Sequence, residues 1–217
     1  MILNKKVSFI AVVSLMVILA ISYLIIKSFD DKYKLPPEPN VRLNDSTLLG
    51  IDTNNNNVRD DVERWIYQTY DKYIPCNERD INIASSSGEF YTTTIKECNG
   101  EYVNYHPIIH EIAMQYARAY QTILKNPNDI EKNIELEDAA YYCNRYFTSD
   151  AKEIKTPILI DPAIASKLKA VQFNTQNRIR TYELYTEQLR GTVYDFEQGS
   201  YRKYCDFDID TLLASGN

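Results

Sequence analysis

Val7 to Ile26, VSFIAVVSLMVILAISYLII, is a run of twenty residues without a charge, and no other stretch restricts the chain as strongly. In hydrocarbon each backbone N–H and C=O has to be satisfied within its own segment, so such a run is helical. Twenty residues cross about 30 Å. Lys5 and Lys6 followed by an apolar stretch also open a secretory signal peptide, with Ala20-Ile21-Ser22 as a small-x-small cleavage site. The apolar run continues through Tyr23 to Ile26, past that site, which favours an uncleaved signal anchor. The expected order is then residues 1–6 in the cytoplasm, 7–26 crossing the inner membrane once, a stalk over 27–50 and a periplasmic helical domain over 51–217. Export after signal-peptide cleavage is the alternative.

Lys27, Lys32 and Lys34 follow the span, so lysine counting leaves its orientation open. Cysteine usage is more informative. Cys76, Cys98, Cys143 and Cys205 all lie beyond the span, even in number and without a CxxC pair, as two disulfides of an oxidising compartment would. Sequence alone does not choose among the three possible pairings. The expectation is Cys76 with Cys98, closing a turn-rich insertion, and Cys143 with Cys205, tying the tail to a helix; four reduced, buried cysteines are the alternative. All acidic residues follow the span, which makes the rest of the chain more acidic than the overall charge of −6 and leaves no place for nucleic acid as a partner.

Beyond the span, Pro36, Pro37 and Pro39 stiffen a mixed-charge stretch into an extended stalk. RDDVERWIYQTYDKYI then places Val62, Ile66, Tyr70 and Tyr73 on one helical face, with Pro75 ending the helix. FYTTTIKEC, between turn signals at Ser85-Ser86-Ser87-Gly88 and Asn99-Gly100, reads as a short strand or hairpin. Pro107 suits the first turn of a helix whose stripe is Ile109, Ile112, Ala113, Tyr116, Ala117, Tyr120, Ile123 and Leu124. Further helices are expected from Ile130 to Phe147, over AIASKLKAVQF, and from an Asn174 cap through Leu189 to Gly191. The fold class is mainly α: a transmembrane helix, a linker, then an antiparallel bundle with a short irregular or β insertion and a disulfide-tied tail. The 18 tyrosines suit core and rim, with an aromatic groove for sugar or peptide as the sharper alternative.

Asp52 to Glu63, DTNNNNVRDDVE, carries oxygen-bearing side chains at positions 1, 3, 5, 9 and 12, the spacing by which an EF-hand-type loop wraps calcium. Asp52, Asn54 and Asn56 would converge on one ion, Val58 would lend its carbonyl, Asp60 would bind directly or through water, and Glu63 would close the shell with both oxygens. Position 6, usually glycine because the backbone turns with positive φ, is Asn57, the best substitute. Neutral Asn54 and Asn56 lower the ligand charge and point to affinity of the order of 10⁻⁴–10⁻³ M. An Asn-rich turn before a helix whose first turn favours acids is the plainer alternative.

Catalytic patterns are weak. His106 and His110, four apart and beside Glu111, could face zinc from a helix as a hydrolase would need, but the order is not HExxH, and surface histidines are the preferred reading. Ser166 and Lys169 match SxxK without the partner motifs of that chemistry. The chain therefore reads as a non-enzyme.

GIDTNNNNVRDDVERWI after a proline-bearing linker, with YTEQLRG and KYCDFD, resembles a family of exported proteins of Gram-negative bacteria. Their GID-S/T-N-N-x-G-V-R-D-D-V-type segment is similar to thrombospondin type 3 calcium repeats and to EF-hand loops. The resemblance implies calcium held by Asp52, Asn54, Asn56, Asp60 and Glu63, and supports a tail disulfide at Cys205; it implies no activity. The leading expectation is an envelope protein with one weak, structural calcium. A partner-binding module, such as an immunity or accessory factor that does not depend on the ion, is the alternative.

Overall fold

The computed structural model describes the backbone of residues 2–71, 73–84, 90–98, 101–104, 107–150, 161, 163–190 and 201–215, and side-chain surroundings for residues 12–71, 107–148, 161, 163–190 and 201–214. Two compact units divide at Pro37/Glu38. The first is dominated by one helix, α1 (Ile2–Tyr33), and Val12–Tyr33 within it is long and apolar enough for a membrane anchor or a signal sequence. The helix runs beyond the apolar stretch expected to end at Ile26. Nothing between Lys27 and Tyr33 breaks it, and Pro36 and Pro37 lie past its end.

The second unit is mainly helical. After α2 (Val41–Asp45) come α3 (Asp60–Tyr70), then β1 (Tyr73–Ala84), β2 (Phe90–Cys98) and β3 (Glu101–Asn104). The remaining elements are α4 (Ile108–Lys125), α5 (Ile130–Arg145) running into a π turn at Tyr146–Asp150, α6 (Ile164–Gln172), α7 (Gln176–Gln188), a 3₁₀ turn at Tyr201–Tyr204, and α8 (Ile209–Ser215). The backbones of β1–β3 pair antiparallel in the order β2-β1-β3, with Cys76 opposite Cys98. The expected Cys76–Cys98 bridge and the turns at 85–88 and 99–100 lie outside the described side chains or residues, as do His106 and Gly191.

α4 is the hub, touching α3, α5, α6, α7 and α8. Its predicted stripe is buried throughout, and so are His110, Gln115 and Gln121, which a helix with one solvent face would leave outside. The two glutamines stay inside because they are bonded: Gln115 donates to the Tyr204 carbonyl at 2.7 Å and Gln121 to the Leu49 carbonyl at 2.8 Å. α3 stops at Tyr70, before Tyr73, which lies in β1. Pro75 pushes the residue before it toward extended backbone, which favours strand over helix there. The cap of α7 is Thr175, whose hydroxyl accepts from the Arg178 N–H; Asn174 instead accepts from the Arg178 guanidinium at 2.6 Å.

Residues 38–50 are not a free stalk, because they belong to the second unit. Arg178, fully buried, donates to the carbonyls of Asn44 (2.6 Å), Leu48 (3.0 Å) and Thr47 (3.1 Å) and pairs with Asp45. A buried guanidinium needs its donors satisfied, and this one fixes the segment as its ligand shell. At the other end Cys143 and Cys205 form a disulfide across 62 residues. Arg118 with Asp206, and Tyr142 stacked on Tyr201 at 5.1 Å, hold the same tail.

Candidate metal centre

The Asp52–Glu63 segment closes through hydrogen bonds of its own side chains. Asp52 accepts the N–H groups of Asn56 (3.2 Å) and Asn57 (3.0 Å), Asn54 that of Asn56 (3.2 Å), and Asn56 that of Val58 (2.9 Å). These short Asx turns bend the chain around a centre while Asp60 N–H to the Ile51 carbonyl, at 2.8 Å, joins the loop's ends. Asn55 (φ 56°) and Asn57 (φ 62°) both take the left-handed conformation, which asparagine tolerates better than other non-glycine residues. Asn57 also does what glycine at position 6 could not: its amide reaches the Arg118 carbonyl (3.3 Å) and the Thr122 hydroxyl (3.1 Å), fastening the loop to α4.

The first turn of α3 supplies Asp60 and Glu63, one helical turn apart and both buried. Glu63 Oε2 accepts from the side-chain amides of Asn54 (3.1 Å) and Asn56 (2.8 Å). Asp60 Oδ1 accepts the Thr53 N–H at 2.9 Å, whereas its buried Oδ2 has no hydrogen-bond partner among the described residues. Burial raises the pKa of Glu111 and the charges of Asp206 and Glu63 add to this, against the opposing pull of Arg118.

Calcium takes six to eight oxygens from carboxylates, amides and backbone carbonyls. Asp52, Asn54, Asn56, Val58, Asp60 and Glu63 offer that donor set on one loop, and the orphaned Asp60 oxygen is the kind of atom a cation would satisfy. Among the described residues no group of three or more His, Cys, Asp or Glu comes together as a metal centre. The three carboxylates of the set, Asp52, Asp60 and Glu63, therefore do not converge as a group here, and Asn54 and Asn56 turn amide hydrogens, rather than oxygens, toward Glu63. Those hydrogens supply the positive charge that an ion would bring. The donor types are those calcium takes, and the present arrangement is closed by hydrogen bonds among them.

Of the other sequence candidates, His106 lies outside the described residues. His110 is buried and stacked on Tyr67 at 4.6 Å, not at the surface as expected. Ser166 donates to the Ala163 carbonyl and Lys169 pairs with Glu137, so the SxxK residues are each engaged elsewhere. What sequence reasoning missed is the loop's support. Arg59 is fully buried; it pairs with Asp61 and donates to the Gln172 (3.1 Å) and Val171 (2.9 Å) carbonyls at the end of α6. Gly50, at φ 71°, lies against its side chain. Arg59 has no spacing signal for this role, because the α6 carbonyls it reaches are more than 110 positions away. No protein-family model, curated protein or solved structure matches this chain.

Proposed function

We propose that this protein is a non-enzymatic envelope protein whose helical domain carries one weak, structural calcium in the Asp52–Glu63 loop. The observation that carries the reading is the buried, unpartnered Oδ2 of Asp60 inside a loop closed by Asx turns. Asp52, Asp60 and Glu63 would give the ion charge, Asn54 and Asn56 amide oxygens, and Val58 its carbonyl. Bound calcium neutralises three carboxylates and holds the residues before α3 against α4. α1 is suited to anchor the domain in the inner membrane, and the Cys143–Cys205 disulfide suits a periplasmic location. The helices around α4 are read as an antiparallel bundle, with β1–β3 inserted between α3 and α4.

Thermal unfolding of the full chain in a non-ionic detergent, with EDTA and with 10 mM calcium, tests this reading. With a dissociation constant of about 10⁻⁴–10⁻³ M, that concentration stabilises by about 1.4–2.7 kcal/mol, or roughly 3–10 °C for a domain of this size. Glu63→Gln abolishes the increase. An equal rise in wild type and Glu63→Gln, or none in either, refutes the site.

A further inference from the structure

Apart from the loop, α4, α5, α6 and α7 line an open cleft of about 360 Å³, within the range of small-ligand sites. Its wall already cages one ammonium group. Lys169 Nζ stands 3.0 Å from Glu137 and over the rings of Tyr182 (5.0 Å) and Tyr120 (5.4 Å). Glu137 is fully engaged, since it also accepts from the hydroxyls of Tyr185 (3.2 Å) and Tyr182 (3.5 Å). Asp138, beside it on α5, is half-buried and has no hydrogen bond or ion pair among the described residues. Burial, then the neighbouring Glu137, raises its carboxyl pKa. Glu137 and Asp138 against Lys169 leave the lining one negative charge in excess. Tyr141, 47 % exposed and edge-to-face with Tyr142 at 5.5 Å, adds a further ring to the lining.

We propose that this cleft binds a small organic ammonium ion, its charge paired with Asp138 and its apolar part against the tyrosine rings. A neutral polyhydroxylated ligand would leave the Asp138 charge uncompensated in a half-buried wall; an ammonium ion removes that charge and uses the ring faces. The site is independent of the calcium loop.

Isothermal titration calorimetry of the full chain in non-ionic detergent at low salt tests it, with choline as the probe and 3,3-dimethylbutan-1-ol as its neutral isostere. Choline binds saturably and the isostere does not. Asp138→Asn weakens choline about fivefold or more, as loss of one ion pair does, and Tyr141→Leu about two- to fivefold. Glu135→Gln, an exposed charge on the same helix, leaves binding unchanged. Absence of choline binding, equal binding of the isostere, or wild-type affinity in Asp138→Asn overturns the proposal. Should Asp138→Asn fail to fold, the isostere comparison and Tyr141→Leu decide it alone.

Discussion

Replacing Gly50 by alanine should cost far more than its half-buried position outside any helix or strand suggests, and two separable terms set the cost. Gly50 has φ 71°, where an L residue is worse off by about 1–2 kcal/mol. A Cβ there would also overlap Arg59 Cδ and come within 2.7 Å of Asn44 Oδ1 and 2.8 Å of Arg59 Cγ. Arg59 cannot give way cheaply, because its guanidinium is held by Asp61 and by the Gln172 and Val171 carbonyls. Asn44 Oδ1 is likewise engaged by the Ile51 N–H at 2.9 Å. Overpacking of this kind costs about 1–3 kcal/mol, so Gly50→Ala should lose about 2–5 kcal/mol in all. Urea unfolding followed by the single tryptophan, Trp65 on α3, reads this as a lower midpoint. Gly50→Asn separates the terms: asparagine tolerates positive φ, so it recovers part of the conformational cost but keeps the collision. A Gly50→Ala loss below about 0.5 kcal/mol, the range of ordinary surface substitutions, refutes the reasoning. Full recovery in Gly50→Asn would show that Arg59 yields freely.

Two further outcomes follow from single groups. Asp60→Asn should act in opposite directions with and without calcium. Removing the charge of a buried carboxylate that has one oxygen unpartnered outweighs the helix-dipole loss of about 0.5 kcal/mol, so the EDTA-treated variant is more stable than wild type by about 1 kcal/mol while the calcium response disappears; a variant less stable in EDTA contradicts this. Cys143→Ser should cost about 4 kcal/mol, the chain-entropy value for a loop closed across 62 residues, and a guanidinium midpoint unchanged from wild type would show that the Arg118–Asp206 pair and the tyrosine stack hold the tail unaided.

Much of the helical pattern is local physics and was legible. The stripe from Ile109 to Leu124 appears as the buried side of α4 because a 3.6-residue period leaves few other ways to bury it. Asn57 takes positive φ because its backbone chemistry allows it, whatever surrounds it. α3 is shorter than its apolar face predicts, since the sequence does not reveal that the residues before Pro75 enter a paired strand. His110 was read as exposed because a polar residue on a helix looks like a surface residue until a partner such as Tyr67 is brought to it.

The sequence by itself determined the apolar helix, the mainly helical character and the order of oxygen donors along the Asp52–Glu63 loop, because each depends on neighbours within a turn or two. Only the tertiary structure decided that Arg178 gathers the carbonyls of Asn44, Thr47 and Leu48 from about 130 positions away, turning a proline-bearing linker into part of the domain. It likewise decided that Arg59 props the loop against α6 and that tyrosines of three helices meet around Glu137 and Lys169. Buried charges choose partners by distance in space, and the cost of leaving them unpaired is large. Their roles therefore become visible only once the chain has folded.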